Sequence, residues 1–592
     1  MNDVTTGQTR LPQLRQLAED DPARALEALG DAMRGAAPDP EVFRIAALAH
    51  RRMGRRDLAE QAEITAIEHS EDLPAALDMK RLLERREYSE ASRAAALHLR
   101  DHPDDLLALS VSAETAIALG LPDQAIPLLE QVLTRAPAYL IARVLLVNAL
   151  TLVDRLRDAR VILDPTVRRV PNDPNLHEKL AQIATAQGDF ALATEAYRAV
   201  TRLSPQSTDA WLNLGDTHRF AGDKAAAEEA YRKSIEIDPD CGRGWWSLAD
   251  LDASLLGPAD IARIEQAAKS EGGRPHKPVV TKFALGMALD RAGDYPRAFA
   301  HFARGNAIKR ALEPYDAGDL TALVDRNLAT FGAEHFGAAP PAPQGPVPVF
   351  VIGMPRAGST LLERALGGHS RIEALGELPI APHMAERLKT GLGGTDMAAA
   401  VAGLPERQLA GMGQWYLARA EELRKTDKPL FIDKLHMNWR HLPLILRMLP
   451  QARIIDIRRD AMACCWSNHR TLFSYGHGAS NDLGDIAAFY RDYARQTDAL
   501  AALVPQRVHQ LRYEDLVEDF TGELGKVAAF LGVEFEAGMQ DFHLSRAPVS
   551  TASSEQVRRP LNRDGLASWR NYAEWLGPLR DALGPLADRN AE

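Results

Sequence analysis

The sequence predicts a multidomain protein: an all-α solenoid of helical repeats followed by an α/β domain with a mostly parallel sheet. Two observations carry this. Prolines 103, 137, 171, 205 and 239 recur every 34 residues. After about residue 348 that period gives way to short apolar runs alternating with helical stretches, the pattern of strands joined by crossover helices. A chain of 592 residues exceeds what one core organises.

The repeat half keeps several columns in phase. Gly188 matches Gly222, with Gly120 two periods above Gly188. Ala193 matches Ala227, Tyr197 matches Tyr231, Trp211 matches Trp245, and leucines 146, 180, 214 and 248 form one more column. Small residues let antiparallel helices approach, the glycine permits the turn between them, and the proline follows the second helix. One such unit cannot bury its apolar stripe alone, so stacking is obligatory. A 34-residue helix–turn–helix period is the signature of tetratricopeptide repeats, and Ala210 to Pro239 resembles that family closely. The repeat domain is placed at 1–332, clearest over 104–250 with degenerate ends; Phe283 to Lys309 reads as a further repeat shifted by three residues. Such arrays present a concave face to polypeptides, so docking of a protein or peptide is expected. The alternative is packing on the second half or on itself in a homodimer.

Composition narrows the classes. A net charge of −11 gives no support to nucleic-acid binding. Three cysteines, 241, 464 and 465, make neither a disulfide framework nor a zinc knuckle. No apolar stretch reaches membrane-spanning length, and the first residues lack a signal-peptide pattern. A cytoplasmic protein is expected.

Residues 337–348, with five prolines in twelve, read as an extended linker. Strands are expected at 349–353, 429–433, 453–457 and 507–513, within a domain at 349–580. After the first strand, Gly353 to Thr360 has P-loop spacing with Ser359 where lysine would stand. Backbone N–H groups and the following helix N-terminus suit a phosphate. Arg356 supplies a cation, and Ser359 and Thr360 supply hydroxyls. The missing lysine disfavours an ATP-hydrolysing kinase. Asp433 and Asp456, at strand ends, are the candidate Mg²⁺ partners for that alternative.

Residues 351–379, VIGMPRAGSTLLERALGGHSRIEALGELP, resemble the 5'-phosphosulfate-binding segment of sulfotransferases, in particular the tyrosylprotein branch and its bacterial repeat-fused relatives. The resemblance continues to about residue 570. It implies a PAPS-dependent (3'-phosphoadenosine 5'-phosphosulfate) sulfotransferase on a P-loop-like fold, with no metal ion. By that resemblance Arg356, Ala357, Gly358, Ser359 and Thr360 hold the 5' end of the donor. Glu377 is the base, with His369, His436 and His441 as rivals. Lys434 stands at the sulfonate, Arg459 and Ser467 hold the 3'-phosphate, and Tyr513 lies near it. Arg458 competes with Arg459, and Ala461 replaces the usual proline of the Arg-Asp-Pro run. Ser553 is expected to contact the sulfonate and Gln556 the donor. Ser568 occupies a family lysine position, for which Arg558, Arg559 or Arg570 is the expected substitute. A tyrosine hydroxyl of a docked polypeptide is the expected acceptor, with a glycan or small alcohol as alternative. A non-catalytic repeat adaptor is the alternative of another class.

Overall fold

A computed structural model describes residues 11–34, 39–269, 277–337, 345–391, 396–473, 476–544, 557, 559–563 and 565–588. The chain divides into two compact units, Met1–Ala210 and Trp211–Glu592.

The first unit consists of antiparallel helix pairs, among them α1 (Pro174–Ala186) and α2 (Phe190–Leu203). Each periodic proline directly follows a helix C-cap; the caps are His102, Ala136, Val170, Ser204 and Asp238. The turn column is more regular in backbone than in sequence. Arg86, Gly120, Asp154, Gly188 and Gly222 all take left-handed conformations, with φ of 60°, 76°, 59°, 72° and 84°. The same turn therefore recurs at each of these positions, and Arg86 and Asp154 adopt it without glycine at a steric cost.

In the second unit the repeats continue as α3 (Lys224–Ile237) and α4 (Gly242–Asp252), then α5 (Lys277–Arg291) and α6 (Tyr295–Leu312), followed by α7 (Ala317–Thr330). Ala227, Tyr231 and Trp245 are buried, as their columns demand. These helices share one apolar core with the α/β part, running from Leu212 and Trp245 to Phe350, Trp439 and Trp466. Phe299 on α6 stacks on Trp466 and Trp575, with ring centroids 5.8 and 5.7 Å away. Asn306 donates to the His469 carbonyl at 2.7 Å, and Asn327 to Gln496 at 2.8 Å. The last repeat is thus a structural layer of the α/β part. Of the proline-rich stretch 337–348, residues 338–344 lie outside the described residues.

The sheet has five parallel strands in the order β2-β3-β1-β4-β5. They are β1 (Val347–Gly353), β2 (Ile372–Ala374), β3 (Leu430–Asp433), β4 (Arg453–Arg458) and β5 (Val508–Arg512). Short β2 is an addition to the expected strands. Central β1 is buried from Pro348 to Gly353, as a strand covered on both faces should be. Between strands run α8 (Ser359–Gly367), α9 (Glu406–Leu423), α10 (Ala461–His469) and α11 (Leu483–Leu503). The carboxyl ends of β1, β3 and β4 lead into the loops that build the site, the usual place for ligands on such sheets.

Candidate active site

The loop after β1 turns sharply. Arg356 is held at φ 66°, a left-handed backbone rare for a side-chain-bearing residue. Gly358 follows at φ 104° and caps α8 without any side-chain hydrogen bond. A Cβ at Gly358 would strike the Tyr513 ring, so only glycine fits between loop and ring. The N-terminus of α8, the positive end of the helix dipole, therefore opens directly from this loop.

Beside this loop lies a cavity of about 270 Å³. Arg356, Arg459, Arg470 and Arg559 line it, with Thr360, Ser467, Tyr513 and Ser568 among its other walls. Four guanidiniums on one cavity wall give it a local charge opposite to the protein's overall sign. Burial, helped by the Arg459 and Arg470 charges, pushes Arg356 down to about 10, so it stays protonated at neutral pH. Arg459 donates to the Arg356 carbonyl at 3.0 Å and to the Gly565 carbonyl, and its guanidinium lies 5.4 Å from the Tyr513 ring centre. Its buried Nε has no hydrogen-bond partner among the described residues. Arg458, by contrast, is committed to Asp456 at 2.8 Å, Asp498 at 2.6 Å and Thr497 at 2.6 Å. Ser467 on α10 stands 3.5 Å from Arg356 Nε. Ala357 and Ser359 are buried within the loop and the first turn of α8. Ser553, Gln556 and Arg558 lie outside the described residues.

A second cluster stands one helical turn along α8. Thr360 lines the cavity, and Glu363, three residues on, shares its helix face. Glu363 Oε2 is 3.7 Å from Lys434 Nζ, and Lys434 donates to Glu377 Oε1 at 2.7 Å. Lys434 is almost wholly buried, whereas the Glu377 side chain is 40% exposed. Burial raises the Glu363 carboxyl, and the Lys434 charge opposes that rise.

Asp433, at the end of β3, fixes this pair. Its Oδ1 accepts the amides of Leu378 (3.4 Å) and Leu435 (3.0 Å), the residues directly after Glu377 and Lys434. Its Oδ2 accepts from Tyr416 (2.7 Å) and Asn438 (3.2 Å). Burial pushes the carboxyl up to about 7, against the pull of these donors. Asp433 and Asp456 are both fully buried and saturated with protein donors, so the metal-partner role considered for them does not fit. Among the described residues no group of three or more side chains suits a metal ion.

The three histidines differ. His369 uses both ring nitrogens, against the Glu534 carbonyl and the Arg371 amide, each at 2.9 Å. His441 is held neutral, pushed down to about 4 by burial and then by Arg440. His436 lies 4.0 Å from Glu377, stacks on His477 at 5.3 Å, and has a buried Nε2 with no partner among the described residues. Arg470, Glu363 and the positioning role of Asp433 were not foreseen. Helical spacing was the available signal for two of them: Arg470 follows Ser467 by three residues, as Glu363 follows Thr360.

A model of the sulfotransferase family matches residues 348–537, and two tetratricopeptide-repeat models match 116–183 and 178–240. The chain carries tetratricopeptide repeats fused to a sulfotransferase domain. An uncharacterized protein of Aquifex aeolicus (strain VF5) is 29% identical over 313 residues, 51% of this chain; the match spans 41% of that relative's length. The sulfotransferase domain of the Synechococcus PCC 7002 olefin synthase is 24% identical, with a TM-score of 0.31, covering 43% of this chain and 98% of that one. The sulfotransferase domain from the curacin biosynthetic pathway is 20% identical, with a TM-score of 0.30, covering 42% and 99%. On the repeat side, YrrB, a tetratricopeptide protein with an unusual peptide-binding site, is 21% identical, with a TM-score of 0.27, covering 31% and 96%.

Proposed function

We propose that this sulfotransferase moves the sulfonate of PAPS to an acceptor hydroxyl, and that the acceptor is a tyrosine in a polypeptide docked by the repeats. The observation that carries the reading is the pairing of half-exposed Glu377 with buried Lys434, one turn of α8 from a cavity lined by four arginines. The sulfotransferase family generally uses PAPS. The cavity suits that donor, with the N-terminus of α8 and Arg356 for the 5'-phosphosulfate, and Arg459 and Ser467 for the 3'-phosphate.

In the transfer, Glu377 takes the proton as the acceptor oxygen bonds to sulfur. The bond from sulfur to the bridging phosphate oxygen breaks, and Lys434 stabilises the negative charge that gathers on that oxygen. A carboxylate is a weak base. A phenol, with a pKa of about 10, matches it better than an alkyl alcohol does. His436 is the second candidate base: its buried Nε2 has no partner among the described residues, and burial, then Lys434 and Arg440, push the imidazole down to about 3 and so keep it neutral and able to accept a proton.

Calorimetry with 3',5'-ADP and 5'-AMP tests the donor. Marked preference for the 3'-phosphorylated nucleotide is expected, and equal or absent binding would return the kinase and adaptor readings. Labelled PAPS with tyrosine peptides, glycans and small alcohols then tests the acceptor. Glu377→Ala is expected to abolish nearly all turnover and keep 3',5'-ADP binding; wild-type turnover in that variant would move the base to His436.

A further inference from the structure

Two of the four cavity arginines are tied to carboxylates of the repeat helices. Asp290, near the end of α5, pairs with Arg470 at 3.2 Å through one oxygen. Its other oxygen accepts the hydroxyl of Tyr572. Tyr572 closes the short helical turn 568–572, and Ser568 and Gly565, just ahead of it, line the cavity. Gly565 in turn accepts from Arg459. On α4, Asp252 pairs with Arg559 at 3.6 Å. Repeat carboxylates therefore reach the cavity wall twice, and Asp290 joins two separate segments of that wall.

Charge explains why such a clasp is needed. Arg356, Arg459 and Arg470 share one small cavity, and like charges drive the most exposed of them toward water. The Arg470 side chain is 30% exposed, so it has somewhere to go. A carboxylate behind it offsets that repulsion and fixes which way the guanidinium faces.

We infer that Asp290, supplied by the repeat helix α5, is a positioning residue of the donor site: it holds Arg470 and the 565–572 segment against the nucleotide phosphates. Residues 349–580 alone would then form an incomplete donor site. The inference rests on the donor reading above.

The test is a double-mutant cycle on the full chain, read as 3',5'-ADP and 5'-AMP affinity by calorimetry. Arg470→Ala is expected to weaken 3',5'-ADP binding by about tenfold. Asp290→Asn is expected to weaken it by a similar factor and to lower the preference over 5'-AMP. Adding Asp290→Asn to Arg470→Ala is expected to cost less than about twofold more, because the asparagine oxygen still accepts the Tyr572 hydroxyl and what the substitution removes is the charge facing Arg470. Unchanged or tighter binding in Asp290→Asn, or an undiminished loss in the Arg470→Ala background, overturns the inference. Should Asp290→Asn not fold, Arg470→Ala still decides: wild-type affinity there removes the group that Asp290 is said to position. A wild-type protein indifferent to the 3'-phosphate would instead defeat the donor reading itself.

Discussion

Replacing Lys434 by methionine should destabilise the second unit in a manner set by pH, and burial of its partner bounds the size of the effect. The ammonium is buried between Glu377 at 2.7 Å and Glu363 at 3.7 Å. Glu377 is 40% exposed and can turn to water, so its loss of a partner costs little. Glu363 is buried and cannot. Deprived of Lys434 it takes up a proton. Drawing one at pH 7 from a group whose ordinary pKa is 4.5 costs at most about 3.4 kcal/mol, and at pH 5 at most about 0.8 kcal/mol, reduced by what burial already costs this carboxyl beside Lys434. The sign follows from a folded-state pKa raised above the unfolded one. The variant matches its reference below about pH 4.5 and loses stability as pH rises toward the raised value. Urea unfolding of the full chain followed by tryptophan fluorescence reads this unit selectively, since all eight tryptophans lie between Trp211 and Trp575. Adding Glu363→Gln should restore most of the loss at pH 7 and remove its pH dependence. Equal destabilisation at pH 5 and 7, or a double variant no firmer than the single one at pH 7, would refute the reasoning.

Other outcomes follow from the same geometry. Arg459→Lys keeps the charge but loses the fork that reaches the Arg356 and Gly565 carbonyls; 3',5'-ADP affinity should fall by about 1.5–3 kcal/mol, roughly 12- to 150-fold in calorimetry. Asp433→Asn should lower turnover by about 100-fold while nucleotide affinity holds, because Asp433 positions Glu377 and Lys434 and does not line the cavity. His469 is pushed down to about 4 by burial, and its Nε2 lies 3.2 Å from Asn306 Nδ2. Its contribution is complete above about pH 6.5 and is lost as pH falls toward 4. By pH 5 about 2 kcal/mol should have gone, and His469→Gln should flatten that part of the stability profile.

The two architectures were legible because each leaves a period in the chain, 34 residues in one half and strand–helix alternation in the other. The phosphate loop, Lys434 and Arg459 could be singled out because each directly follows an apolar strand. What stayed hidden depends on tertiary approach. Asp433 was visible only as a strand-end carboxylate, and the four donors that saturate it come from residues 378, 416, 435 and 438. Asp290 precedes Arg470 by 180 residues, and no local pattern joins them. Arg86 and Asp154 carry the repeat turn without glycine, so the column is regular in φ and irregular in letters. Short β2 spans three residues, too few to show a period.

The arginine-lined cavity sits in a chain of net charge −11, and the two signs act over different distances. An approaching nucleotide anion is first repelled by the body as a whole and is attracted only near the mouth. At physiological ionic strength charges are screened beyond about 8 Å. Salt therefore removes the distant repulsion before it weakens the contacts inside. Capture should quicken on going from very dilute to moderate salt and slow only at higher salt, so cellular ionic strength itself helps to open the route to the site.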